Sequence, residues 1–285
     1  MKKLIIILAL ILIAIYAGLS ILGSGGEYAA EKIFHGAMKK AYKIAANPDV
    51  APPAQLASVE RELKLLLKKY PNANITKFGH IALLEFYVNN KKYNEAMDAA
   101  EDISRKYSSD AGMLSTSQFS RGLIYEKQNR WNEALEKYKI LEEKYPTTRL
   151  GIQMPLYVGR YYDSKGNDKE AREAYREAVT FYAKMESEYS GKMLGYTASV
   201  LSIQTHLSLK DYGAAGKALE YTLNKYPSSA SFTQLLPLVE NIYIENLNMP
   251  QKAVELYKYV QSKIKDRRIL KFLEQKIKAL EIKNK

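Results

Sequence analysis

The chain of 285 residues contains no cysteine, one tryptophan and three histidines. The lack of cysteine excludes disulfide bonds, thiolate metal sites, cysteine nucleophiles and a lipid-modified N-terminal cysteine. His35, His80 and His206 lie far apart, without a further histidine at metal-ligand spacing. Glycine-rich phosphate loops, the Gly-x-Ser-x-Gly elbow and the His-Glu-x-x-His zinc sequence are also missing. We therefore expect no enzyme, and neither a catalytic site, a metal, a cofactor nor a small-molecule substrate.

Acidic residues are outnumbered by basic ones, which gives a formal net charge of +12. One interpretation is a basic surface for an anionic partner, such as a cell-wall polymer or an anionic membrane surface. The alternative is a general compositional bias towards lysine. Runs such as Glu142-Glu143-Lys144 interleave the two signs, as a solvated helix face does. Because arginine-rich clusters and zinc-finger spacings are missing, nucleic acid is not an expected partner.

Long apolar runs are absent except at the N-terminus, where Leu4 to Gly23 contains no charge. This length is sufficient for a helix that crosses a bilayer, and Lys2 and Lys3 predict a cytoplasmic N-terminus. Residues 1–26 are thus expected to be an inner-membrane anchor with a short Gly/Ser tether. A cleaved signal sequence is the alternative, with a weak site at Gly23-Ser24-Gly25. Both interpretations place the remainder outside the cytoplasm, most simply in the periplasm.

A short pattern recurs five times, centred on an alanine, at intervals of 38, 37, 44 and 38 residues. The alanines are Ala96, Ala134, Ala171, Ala215 and Ala253. An aromatic residue often precedes the alanine by three positions, and a Tyr-Pro or Tyr-Ser pair often follows it. A period of this size indicates stacked units that cannot bury their apolar faces alone.

The spacing within each unit predicts two packed helices. Gly122 and Gly159 lie twelve residues before their alanines, and Tyr125 and Tyr162 follow three residues later on the same helix face. A small residue allows close approach of the second helix, which crosses at the alanine. Proline after a tyrosine, as at Pro146, disfavours helical geometry in that tyrosine and ends the second helix.

This pattern resembles the tetratricopeptide repeat, in which Gly122, Tyr125, Ala134, Tyr138 and Pro146 match consensus positions. The resemblance implies an all-α fold, a right-handed superhelical solenoid of antiparallel helix pairs. The predicted solenoid spans residues 27–265. It contains a degenerate first pair at 28–70 and repeats at about 75–108, 111–148, 149–190, 192–227 and 229–263, followed by a capping helix at 266–285.

The interval of 44 residues indicates a second helix, at about 168–189, that is two turns longer than the others. We expect these turns to project from one edge of the solenoid. They are either a docking point or a simple variation of helix length. His206 occupies a position that is tyrosine in other repeats, which predicts a packing role.

In the family that the repeats resemble, the first helix of each pair lines a concave groove that binds peptides. The resemblance therefore implies a protein-binding scaffold with a groove of mixed apolar and charged residues. Some of the apolar residues have an alternative role in packing between repeats. The matching positions with predicted groove roles are Ile81, Glu85, Phe119, Leu123, Glu126, Leu156, Arg160, Asp163 and Gln204.

The Tyr-Pro pairs at the ends of second helices and the long repeats are similar to those of bacterial envelope tetratricopeptide proteins. Two such families are the outer-membrane-assembly lipoprotein of the Bam type and the coordinator of the Tol-Pal system. The first carries a lipidated cysteine that this chain lacks. The resemblance implies a membrane-tethered adaptor for envelope assembly or maintenance, with protein partners in the envelope.

Overall fold

The computed structural model describes residues 25–46 and 52–283. The predicted anchor over residues 1–24 and the linker at 47–51 lie outside the described residues, as do the last two. Every regular element in the described ranges is a helix. None of these helices combines the length and apolarity that a membrane crossing requires. Gly25 and Gly26, which were predicted as part of a tether, instead form the start of the first helix.

The helices fall into two compact units, residues 1–140 and 141–285, called here the N-terminal and C-terminal units. The N-terminal unit contains α1 (Gly25–Ala46), α2 (Pro53–Lys69), α3 (Thr76–Asn89), α4 (Tyr93–Lys106), α5 (Ala111–Lys127) and most of α6 (Trp131–Lys144). The C-terminal unit contains α7 (Arg149–Ser164), α8 (Asp168–Glu188), α9 (Met193–Ser208), α10 (Tyr212–Lys225), α11 (Ser229–Val239), α12 (Pro250–Lys263) and α13 (Arg267–Lys283).

Second helices end at the tyrosines that the sequence indicated. Helix α4 ends before Tyr107, α8 before Tyr189 and α10 before Tyr226. Each of these tyrosines leaves helical geometry while its backbone N–H still bonds to the carbonyl four residues earlier. The aromatic side chain thus stays on the core side as the chain turns towards the next pair. This prediction is confirmed.

Glycine on the first helix allows a tyrosine of the second helix to lie directly against the backbone. A Cβ atom at Gly122 would be 2.4 Å from the Tyr138 ring, and one at Gly159 would be 2.3 Å from the Tyr175 ring. Real Cβ atoms do not approach carbon this closely. The predicted role of these glycines in close helix contact is therefore confirmed.

Five turns between paired helices share a left-handed residue that the sequence analysis missed. Each lies five positions before the central alanine, so the set repeats with the same intervals. The residues and their φ angles are Lys91 (58°), Asn129 (60°), Gly166 (73°), Lys210 (58°) and Asn248 (51°). Glycine and asparagine adopt this conformation readily, whereas lysine does so at a steric cost. In two of the five turns the geometry therefore imposes a positive φ on a lysine, which disfavours it.

Helix α8 extends over 21 residues, against 14 for α4, α6 and α10, so the predicted longer helix is confirmed. Its extra turns do not project, however. Ala178, Tyr182 and Met185 are all buried in one apolar cluster with residues of α7 and α9. The expectation of a free overhang was wrong because these residues continue the apolar stripe of the helix.

The first helix of the last repeat widens after Val239 into a π-helical segment, Glu240–Asn246. A π turn takes up one additional residue and shifts the side chains that follow. The repeat spacing predicts Ile244, nine residues before Ala253, at the tyrosine position, but this shift brings Tyr243 there instead. The Tyr243 hydroxyl donates to Glu220 of the preceding second helix, as the Tyr87 hydroxyl donates to Glu60.

Helix α13 covers the end of the C-terminal unit. Leu273 and Ile277 are buried against α12 and its neighbours, whereas Phe272 and Ile282 are exposed. Leu280, Ile269 and Leu270 pack against the same core with partial exposure.

Candidate functional site

In the N-terminal unit, the predicted groove residues lie on two first helices that contact each other. Helix α3 carries Ile81 and Glu85, and α5 carries Phe119, Leu123 and Glu126. Glu85 is exposed, and the other four are partly exposed. Partial desolvation by the surrounding protein raises the pKa of the Glu85 carboxyl. The face thus combines apolar contact area with the carboxyl groups of Glu85 and Glu126.

Glu126 has a structural role in addition to its place on this face. The hydroxyl of Tyr138, a fully buried residue of the second helix, donates a hydrogen bond of 2.8 Å to Glu126 Oε2. The Tyr138 ring also lies 6.0 Å from the rings of Phe119 and Trp131. The second helix therefore fixes both Glu126 and Phe119 from below, which preorganises the face for binding.

In the C-terminal unit, two predicted residues from neighbouring first helices meet directly. Arg160 of α7 donates from Nη2 to Oε1 of Gln204 on α9 across 3.5 Å. Asp163, one turn after Arg160, accepts a hydrogen bond of 3.4 Å from the Tyr175 hydroxyl. Arg160 and Asp163 are exposed and Gln204 is partly exposed. The three side chains form a polar patch that can bind backbone amides and carboxylates.

Leu156 does not belong to this surface. Its side chain is only 2% exposed and packs in the apolar cluster that contains Tyr175 and Tyr182. Its predicted groove role is therefore wrong for the described structure. The alternative interpretation, packing between helices, applies to this residue.

Two further residues of the C-terminal face were missed by sequence reasoning. Tyr196 of α9 donates from its hydroxyl to Gln234 Oε1 of α11 across 2.8 Å. The pair connects first helices of adjacent repeats, as Arg160 and Gln204 do. Tyr196 and Gln234 are 38 residues apart and so hold the same register position. That shared register was the available signal.

Metal chemistry receives no support from the geometry. Over residues 25–46 and 52–283, acidic and histidine side chains do not gather in groups of three or more that could hold a metal ion. His80 is half-buried beside Tyr107, and its Nε2 accepts a hydrogen bond of 3.2 Å from Lys106 Nζ. Burial, reinforced by the Lys106 charge, lowers the pKa of His80 to about 4.

The repeat that contains Phe119 and Glu126 has a recognisable family. Residues 116–148 match the tetratricopeptide repeat. This match covers α6 and most of α5, and it includes Gly122, Ala134 and Tyr138. The turn residue with a positive φ and the central alanine recur in the helix pairs from α3 to α12, so these pairs are tetratricopeptide-like.

Among solved structures, the chain is similar to a tetratricopeptide repeat protein from Parabacteroides merdae. The two chains are 15% identical, and the superposition covers 87% of this chain and 99% of that one with a TM-score of 0.32. None of the curated proteins compared with the chain matches its sequence.

Proposed function

We propose that the protein is a non-catalytic scaffold that binds protein segments through the first helices of its repeats. The observation that carries this proposal is the tetratricopeptide match at residues 116–148, together with a partly exposed face on the first helix of that same repeat. Repeats of this class generally bind proteins or peptides, and helical solenoids offer extended surfaces for them.

The bound segment is best described as an extended or helical peptide with apolar anchors. Phe119 and Leu123 provide apolar contact in the N-terminal unit. Arg160 and Gln204 offer donors and an acceptor in the C-terminal unit. Such a combination lets apolar contacts supply affinity while the polar groups orient the peptide.

We further propose that this scaffold is tethered at the bacterial inner membrane and faces the periplasm. The support is the sequence from Lys2 to Gly23, whose length and flanking lysines suit a single-pass anchor. The resemblance of the repeats to envelope proteins of the Bam and Tol-Pal type supports a role in envelope assembly or maintenance, although this chain lacks the lipidated cysteine of the Bam type.

Site-specific photocrosslinking in living cells tests the scaffold. A photoreactive amino acid is placed in the full chain at Leu123 or at Gln204, and matched controls carry it at Lys139 or Lys217, exposed positions on second helices. We expect the first pair to capture a common protein partner, and the controls to capture much less of it. Equal yields from all four positions, or no protein product from any, would contradict the proposal.

A basic surface module is the competing function, and the ion pairs do not favour it. Lys64 and Lys92 both pair with Glu60, and Lys252 pairs with Glu220 and Glu255. The charge of these three lysines is thereby compensated locally. Cosedimentation with anionic vesicles at physiological salt would be weak under the scaffold proposal and strong under the competing one.

A further inference from the structure

A recess of about 500 Å³ opens in the C-terminal unit, away from the first-helix residues described above. It lies where α8 passes the end of α9 and the start of α10. Its polar lining comes from Arg172, Arg176 and Thr180 of α8, from His206 of α9, and from Asp211 at the start of α10. The three α8 residues are spaced by four positions, so they share one stripe of that helix.

His206 differs from the equivalent residues of the preceding repeats. Its register position is held by Tyr87, Tyr125 and Tyr162 in the three preceding repeats. Imidazole is shorter than phenol, so the substitution removes volume and introduces two ring nitrogens. The Nδ1 atom is fully buried and has no hydrogen-bond partner in the described part of the chain. Native proteins nearly always supply a hydrogen-bond partner to a buried polar atom, so the unpartnered Nδ1 of His206 is unusual.

The charges around the recess are not balanced. Arg172 and Arg176 are exposed, and neither forms an ion pair with another described residue. Asp211 is the acidic group at the recess, and its Oδ1 accepts the Ala214 N–H at 3.0 Å as the cap of α10. The Thr180 hydroxyl donates a hydrogen bond of 3.2 Å to the Arg176 carbonyl oxygen. The recess is therefore lined by two guanidinium groups and one carboxylate.

We propose that this recess binds an oxyanion, a phosphate or carboxylate group of a ligand, between Arg172, Arg176 and His206. Each guanidinium presents a planar fork of N–H donors that matches such oxygens. Burial lowers the pKa of His206, which keeps the ring neutral near pH 7. The neutral ring forms a polar wall of the recess beside the two guanidinium groups, which supply the N–H donors to the anion. This site is separate from the first-helix faces and does not depend on the scaffold proposal.

The test uses the full chain in a neutral detergent, because of its apolar N-terminal segment. The side-chain signals of the three histidines and of the arginine Nε–H groups are followed by NMR during titration with sodium phosphate, and separately with sodium acetate. Sodium chloride holds the ionic strength constant, so that screening alone produces no change. Removal of one signal in His206→Gln assigns the reporter.

We expect a saturable shift of the His206 signal with at least one of the two anions. The anion with the lower midpoint identifies the ligand chemistry as phosphate or carboxylate. In Arg172→Gln/Arg176→Gln the midpoint should rise at least tenfold. In Lys169→Gln/Lys184→Gln, which removes the same charge from exposed positions of the same helix, it should change less than twofold.

Equal effects of the two double variants would overturn the proposal, because they would show a response to net charge. A shift that never saturates with either anion would overturn it as well. His206→Tyr provides an independent check, since it restores the residue of the other repeats and fills the recess. This variant should fold with unchanged or greater stability, and its Arg172 and Arg176 Nε–H signals should no longer respond to the anion.

Discussion

The backbone N–H of Leu156 donates a hydrogen bond of 3.2 Å to the buried hydroxyl of Tyr182. Tyr182 lies in the extra turns of α8, and Leu156 directly follows Pro155 inside α7. Burial raises the pKa of Tyr182, so its hydroxyl remains protonated under all ordinary conditions. The long second helix thus supplies a polar partner for the backbone of its paired helix.

Removal of that partner should destabilise the C-terminal unit. In Tyr182→Phe the ring still fills its place, but the Leu156 N–H loses its hydrogen bond to the hydroxyl. We expect a loss of about 1–2 kcal/mol in the free energy of unfolding. Urea denaturation followed by circular dichroism measures it. Tyr28→Phe at an exposed position is the control and should change little; a similar loss in both variants would contradict the structural role of the bond.

Two glycine-to-alanine substitutions should have opposite signs. Gly122→Ala places a Cβ against the Tyr138 ring and should cost about 1–3 kcal/mol, because the helices must separate. Gly36→Ala lies inside α1, where the nearest contact to a new Cβ is 3.8 Å from Glu62 Oε2. It should stabilise by about 0.5–1 kcal/mol through helix propensity. Thermal denaturation of both variants provides the comparison, and a loss in both would refute the close-packing argument.

The left-handed turn position predicts a second pair of opposite effects. Lys210→Gly should stabilise the protein by up to about 1 kcal/mol, since glycine adopts a positive φ without steric cost. Gly166→Lys introduces that cost at the equivalent turn, where space is available but φ is +73°. It should destabilise by a similar amount. Denaturation midpoints of the two variants measured under one buffer condition decide whether this register position behaves alike in both repeats.

His80 should make stability fall in mildly acidic solution. Its pKa in the folded protein is about 4, below the ordinary value of 6.5, so the unfolded chain binds the proton more readily. The resulting loss of stability is absent above about pH 6.5, grows as the pH falls, and is complete below about pH 4. His80→Phe should therefore lose less stability than the wild type between pH 7 and pH 4. If the wild type and His80→Phe showed the same change of urea midpoint with pH, this role of His80 would be excluded.

The absence of cysteine makes the membrane topology directly testable. A single Lys169→Cys substitution introduces the one reactive thiol at an exposed position of α8. A periplasmic repeat domain predicts labelling by a membrane-impermeant maleimide in cells whose outer membrane alone has been permeabilised. If labelling required rupture of the inner membrane, the proposed orientation would be wrong. Met185→Cys, at a buried position, reports labelling of unfolded protein.

The sequence predicted the helix pairs because alanine, glycine and tyrosine recur at fixed positions, and those positions are where helices touch. It located the ends of second helices at Tyr107, Tyr189 and Tyr226 for the same reason. The π-helical segment was beyond its reach, since a one-residue shift from Ile244 to Tyr243 depends on tertiary packing. Leu156 was assigned to the groove because register gives a helix face but does not show which neighbour covers it.

The glutamate near the end of α8 shows what the additional turns achieve. Glu186 Oε1 accepts hydrogen bonds from Tyr221 of α10 at 2.8 Å and from Tyr226, which directly follows α10, at 3.0 Å. Tyr182 holds α7 on the other side. Helix α8 consequently connects its own repeat to the next through side-chain hydrogen bonds. We expect its central amide protons to exchange with solvent among the slowest in the C-terminal unit, so that local opening starts elsewhere.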